Sequence, residues 1–193
     1  METKILPFKR LTVERENLLA RKILLSIAMA AVTGLLAGIR IPLPFTPIPL
    51  TGQVLGVLLA GFFLEGSFAG LSQALYLFIG LSGIPWFSGW SSLSFATFAV
   101  NPTSGYLIGF IPAAFLIGKL EHGGSGMNML RHAAAFFSGI LVLYFFGAIH
   151  LAAILHTGFQ RTLVLAVYPF IFFDFLKALL TVSFVSAFRK QGR

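Results

Sequence analysis

Six apolar tracts, at roughly 23–39, 51–64, 67–84, 104–118, 132–155 and 164–188, leave almost no polar stretch long enough to fold as a separate soluble unit. Of the 193 residues, 57% are hydrophobic and only 10% charged, and the mean hydropathy of +0.90 is far outside the range of a soluble domain. In lipid every backbone N–H and C=O must be satisfied within the protein, so tracts of this length are expected to be helices. The second tract is short, but residues 51–84 are too long for a single crossing, and Glu65-Gly66 supplies a turn between two. The expected fold is therefore an all-α integral membrane protein, with six transmembrane helices in one compact bundle.

The formal charge is +8, yet the cations are placed for a membrane rather than for a nucleic acid. Lys4, Lys9, Arg10, Arg15, Arg21 and Lys22 precede the first tract, and Arg189, Lys190 and Arg193 follow the last. Basic residues are retained on the cytoplasmic side, and an even number of crossings puts both clusters there together with Lys119 and Arg131. Only Arg40 and Arg161 then fall outside, and Lys177 lies within the membrane. The reading divides the chain into a basic cytoplasmic segment (1–22), a membrane domain (23–188) and a basic cytoplasmic tail (189–193). The mixed charge before the first tract does not resemble a cleaved signal peptide, so that span is expected to be retained. With no cysteine, there is neither a disulfide nor a thiolate site, and the four histidines lack metal-ligand spacing; no metal and no cofactor are expected.

This topology gathers the unusual loops on the external side. "IPLPFTPIPL" (41–50) has proline at 42, 44, 47 and 49 and must be extended; "IPWFSGWSSLSFATFAVNPT" (84–103) is long, aromatic and dotted with small polar residues. The inner connections have no such content beyond the Gly-rich "HGGSG" (122–126) and the solvated or interfacial turn charges Glu65 and Glu121.

Within the last tract, "PFIFFDFLKALL" (169–180) holds Asp174, the only aspartate, and Lys177 on one helix face. A charge at mid-bilayer costs at least about 2.5 kcal/mol, so such residues usually face a bundle interior and act there. The bland explanation is a self-neutralising structural pair, although two apolar residues would pack at lower cost. The functional one is a binding site with an acceptor for N–H donors and a cation for a carboxylate. Gln53 and Thr51, Tyr76, and Asn101, Thr103, Ser104 and Tyr106 are possible companions. Trp86 and Trp90 suit either a cavity wall or an interfacial belt.

Four segments, "PLPFTPIPLTGQVLGVLLAG" (42–61), "LYLFIGLSGIPWF" (75–87), "NPTSGYLIGF" (101–110) and "PFIFFDFLKALL", occur in an order that resembles the BioY family, the biotin-specific S components of energy-coupling factor (ECF) transporters. The resemblance extends from about residue 24 to the end. It implies capture of biotin outside the cell and uptake across a bacterial cytoplasmic membrane. The implied partners are a transmembrane coupling protein of the EcfT/BioN type and ABC ATPases of the EcfA/BioM type. It further implies Lys177 for the biotin carboxylate and Asp174 for a ureido N–H, with Asn101 and Gln53 at polar atoms and Trp86, Tyr106 and Phe45 against the ring system. The chain departs from the family pattern at Asn101 and Ser104, where glycines are usual, and at Phe172 and Phe173, where Pro-Gly is usual.

In the first tract, Ser26, Ala30, Gly34 and Gly38 form a smooth stripe that suits close helix contact. Spacing alone reads this as an internal seam; the resemblance implies a docking surface for the coupling protein. No "GxxxxGK[ST]" is present, so energy must come from a partner or a gradient. A rival reading is a proton-coupled secondary transporter of a small carboxylate-bearing metabolite, with Asp174 as carrier. The adjacent lysine opposes this by favouring the charged carboxylate, and no inverted repeat is apparent. An intramembrane serine protease built on "GLSG" (80–83) with Ser82 and His150 or His156 rests on a short motif at a span end, and a single aspartate cannot form an aspartyl dyad.

Overall fold

A computed structural model describes residues 6–123 and 129–191, with side chains resolved over 16–123 and 129–184. Most of the Gly-rich connection, the extreme N-terminus and the end of the basic tail lie outside the described residues. The chain runs α1 (Leu6–Leu36), β1 (Arg40–Ile41), β2 (Leu50–Thr51), α2 (Gln53–Phe63), α3 (Gly66–Leu81), α4 (Phe95–Phe98), α5 (Ser104–His122), α6 (Met129–Leu155), α7 (Phe159–Ala166) and α8 (Tyr168–Gln191). Helix α5 is central, packed against α2, α3 and α6. The outward surface carries Leu35, Phe78, Leu141, Phe145 and Leu180, all exposed, as expected where lipid replaces water.

Each apolar tract contains a helix, but the helices differ in reach. Glu16–Leu36, Ser104–His122 and Met129–Leu155 are each long and apolar enough to cross a bilayer, and α7 and α8, bent by 43° at their junction, qualify together as a fourth. Helices α2 and α3 have 11 and 16 residues and rise only about 16 and 24 Å. They are separated at Leu64-Glu65, close to the expected turn, and neither is long enough to qualify as a crossing by itself. The first helix also starts well before its apolar tract, within the basic segment.

The proline-rich segment is non-helical and is clamped at its base. Arg40 pairs with Thr51 and Ile41 with Leu50 in a short antiparallel ladder, and Gly52 N–H donates to Ile39 O at 3.0 Å. Its tip is tied to the junction of α7 and α8. Pro169 has no N–H, so the carbonyl four residues earlier, on Leu165, has no helical donor. Thr46 takes it, its Oγ1 donating to Leu165 O at 2.6 Å. Phe170 N–H turns to Val167 O, and Tyr106 Oη donates to the carbonyl of Ala166. The bend is thus the point where the loop and α5 attach to the last helix.

Two expectations change. Glu121 is buried rather than solvated, with His132 Nδ1 at 2.8 and 2.9 Å from its two carboxylate oxygens, so α5 and α6 are joined across their ends. The stripe of α1 is covered. Ser26 and Ala30 are fully buried, and Ser26 Oγ donates to Phe68 O of α3 at 3.0 Å. A Cβ on Gly34 would lie 2.7 Å from Trp86, and one on Gly38 would lie 2.6 Å from Trp90. These four residues form a packing seam under α3 and the 82–103 loop, because the two tryptophans need that smooth surface; they do not present a free docking face.

Candidate functional site

At the end of the bundle bearing the two long loops, a cavity enclosing about 500 Å3, mouth included, lies between the β2–α2 segment and α5, α6 and α8. Leu107, Phe110, Leu143 and Phe170 supply apolar walls, and Gln53, Thr103, Tyr106, Tyr144, Asp174 and Lys177 supply polar groups. A mostly apolar cavity with a few convergent polar groups is the usual form of a small-molecule site.

Asp174 is 3% exposed and both of its oxygens are engaged. Lys177 Nζ donates to Oδ1 at 2.8 Å and Tyr144 Oη donates to Oδ2 at 2.9 Å. Lys177 Nζ also donates to Thr51 O at 2.9 Å, which ties α8 to the end of the proline-rich loop. An ammonium has three donors, so one is left for a ligand, while each carboxylate oxygen keeps acceptor capacity. The pair is one compact dipole at a single point of the cavity.

The aromatic residues are set by what lies behind them. Gly147 of α6 makes room for Tyr106: a Cβ there would fall 2.2 Å from the Tyr106 ring. Gln53 Nε2 donates to Tyr76 Oη at 2.6 Å, and Tyr76 Oη donates to Trp86 O at 3.0 Å, so the glutamine is oriented from outside the cavity.

Of the residues selected from sequence, Asp174, Lys177, Gln53 and Tyr106 line this cavity, and Asn101, Trp86 and Phe45 do not. Asn101 Oδ1 accepts Thr103 N–H at 2.9 Å and Thr103 Oγ1–H at 2.7 Å, forming the Asx turn that starts α5. Trp86 donates its indole N–H to Tyr76 O at 2.9 Å and packs on the Tyr76 ring, 5.3 Å between centroids, as a strut between α1 and α3. Phe45 is 59% exposed at the loop tip. Phe172, 69% exposed, and Phe173 point away from the cavity, so the departure beside Asp174 falls on the outer face. The protease constellation does not assemble: Ser82 Oγ donates to Ile79 O, and His150 Nε2 lies 3.0 Å from Asn101 O.

The model of the BioY family matches residues 7–193. The chain belongs to the BioY family. A probable biotin transporter BioY of Pyrococcus horikoshii is 35% identical over 173 residues, covering 90% of this chain and 98% of that one. A biotin transporter BioY of Lactococcus lactis subsp. cremoris is 31% identical over 169 residues, covering 86% and 87%. A solved structure described as the S-component for biotin from an ECF-type ABC transporter is similar with a TM-score of 0.79 and 28% identity, over 90% of this chain and 93% of that one. This BioY protein is accordingly a helical, multi-pass membrane protein of the transporter type.

Tyr144 was not selected from the BioY sequence, although its hydroxyl meets Asp174 directly. A lone phenol inside the run "LVLYFFG" was the available signal, since a buried Tyr O–H needs an acceptor. The backbone carbonyl of Thr51 had no such signal, because every residue carries one.

Proposed function

We propose that this BioY protein captures biotin from outside a bacterial cell and delivers it inward as the S component of an ECF transporter. The coupling protein would be of the EcfT/BioN type and the ATPases of the EcfA/BioM type. The proposed topology has six crossings with both termini in the cytoplasm, supported by the bias of Lys and Arg to those ends. Biotin is the transported ligand, and the protein needs no cofactor of its own.

The observation that carries the reading is the buried Asp174–Lys177 pair in an apolar cavity. A ureido group presents an N–H donor and a C=O acceptor side by side, matching a carboxylate and an ammonium 2.8 Å apart. Asp174 therefore accepts a ureido N–H, and Lys177 gives its remaining donor to the ureido carbonyl. The valerate carboxylate, several bonds away, reaches other groups such as those at the start of α5. Assigning that carboxylate to Lys177, as the family resemblance implies, would use the same remaining donor and bring a second carboxylate beside Asp174.

The test is a binding panel on the purified protein with biotin, desthiobiotin, biotin amide, thiamine and riboflavin. Biotin and desthiobiotin, which share the ureido ring, should bind far better than the two unrelated vitamins; equal binding of all would remove the assignment. Biotin amide measured on wild type and on Lys177→Ala decides the pose. Equal losses place the carboxylate elsewhere, and a smaller loss on the variant places it at Lys177.

A further inference from the structure

At the opposite end of the bundle from the cavity, a groove of about 520 Å3, mouth included, runs between α1, the α2–α3 turn and the end of α5. Its charged side chains are Arg21, Lys22 and Glu65, with His122 beside them, and its walls include Leu25, Phe63 and Phe68. Lys22 is committed to Glu65 by two contacts of 2.8 and 2.9 Å, and its ammonium lies 5.3 Å from the centre of the Phe68 ring. His122 Nδ1 faces the carbonyl of Gly118 at 3.0 Å; a carbonyl can only accept, so Nδ1 carries a proton and a neutral ring offers Nε2 as an acceptor for a headgroup hydroxyl. Arg21 is exposed and makes no hydrogen bond or ion pair among the described residues. Glu65 is neutralised within the groove, which leaves Arg21 as its uncompensated cation. Leu25 and Phe63, both more than two-fifths exposed, extend the walls toward the lipid-facing surface.

We propose that this groove binds an anionic phospholipid of the inner leaflet, the headgroup phosphate on Arg21 with Lys22 beside it, and the first acyl segment against Leu25 and Phe63. A guanidinium pairs two N–H donors with two phosphate oxygens, which an ammonium cannot do. A basic groove between helices beside an apolar lane fits a phospholipid better than a free phosphate ion, which has no use for the lane. The placement in the inner leaflet rests on the topology proposed above. The lipid would hold α1, the α2–α3 turn and α5 together at the end where the short helices α2 and α3 meet.

The experiment is native mass spectrometry of the purified protein from micelles containing equimolar phosphatidylglycerol and phosphatidylcholine. Wild type should retain phosphatidylglycerol preferentially. Arg21→Gln should cut that preference about fivefold, the worth of one charge at a lipid surface, and Arg21→Lys should keep part of it. Absence of headgroup preference in wild type, or an unchanged preference in Arg21→Gln, would overturn the proposal. Displacement of phosphatidylglycerol by millimolar glycerol phosphate would also overturn it, by showing a site for soluble phosphate. Biotin affinity of the same samples should be equal for wild type and Arg21→Gln. Loss of biotin binding in wild type itself would count against the transport reading while leaving the lipid result intact.

Discussion

Tyr144→Phe removes one hydroxyl from the site and leaves the ring that packs α6 against α8. The deleted O–H donates at 2.9 Å to Oδ2 of Asp174, a carboxylate that is 3% exposed and has no bulk water to replace the donor. Hydrogen bonds to charged groups are worth about 1.5–3 kcal/mol. Because Lys177 still pairs with Oδ1, the lower part of that range applies, about 2 kcal/mol, which for a chain of this size is a fall in Tm of about 4–8 °C. The hydroxyl also fixes the rotation of the carboxylate, so biotin affinity should fall about tenfold, or about 1.4 kcal/mol. Calorimetric titration with biotin and a thermal melt in the same detergent give both numbers. A melt lowered as calculated with unchanged biotin affinity would refute the idea that Tyr144 aims Asp174 at the ligand. No change in either would refute the hydrogen bond itself.

Three further substitutions probe the framework. Gly147→Ala places a methyl 2.2 Å from the Tyr106 ring, and should cost about 1–3 kcal/mol of stability and weaken biotin binding, both read by the same melt and titration. Ala30→Trp fills a position with no exposed surface, so folded yield and biotin binding should fall together; intact binding with loss only of coupled uptake would restore the docking role of the stripe. Thr46→Val keeps the shape of the side chain but removes the donor to Leu165 O, and should speed biotin dissociation in a chase experiment by loosening the proline-rich loop. An unchanged dissociation rate would show that this tie does not control access.

The helical class, the non-helical proline-rich loop and the polar pair of the last tract were legible because each follows from a local rule: length in lipid, absent N–H groups, and the cost of charge. Residues whose roles depend on partners distant in sequence were not. The seam of α1 reads the same from spacing whether it meets α3 or another protein, and only Trp86 and Trp90 lying over Gly34 and Gly38 distinguish the two. Glu121 looked like a turn charge until His132, from the next helix, came within 2.9 Å. Asn101 was selected for its polar side chain, which folding commits to starting α5. Tyr144 escaped because an apolar run conceals one hydroxyl.

The break between α7 and α8 connects these features into a physical account of access. Pro169 is in the first turn of α8, where its missing N–H costs that helix nothing, but it deprives the preceding segment of a donor. The freed carbonyl of Leu165 holds Thr46, the neighbouring carbonyl of Ala166 holds Tyr106, and Lys177, two turns further on, holds the carbonyl of Thr51. The proline-rich loop is therefore attached to α7 through Thr46 and to α8 through Lys177. One of these attachments is made by the same ammonium that faces the cavity. A ligand that takes the remaining donor of Lys177 shares one ammonium with the tie to Thr51, so ligand binding and loop position are linked through the placement of that group. Restraining the loop, for example by a crosslink from its tip to α7, should then change biotin affinity even though no crosslinked residue touches the Asp174–Lys177 pair.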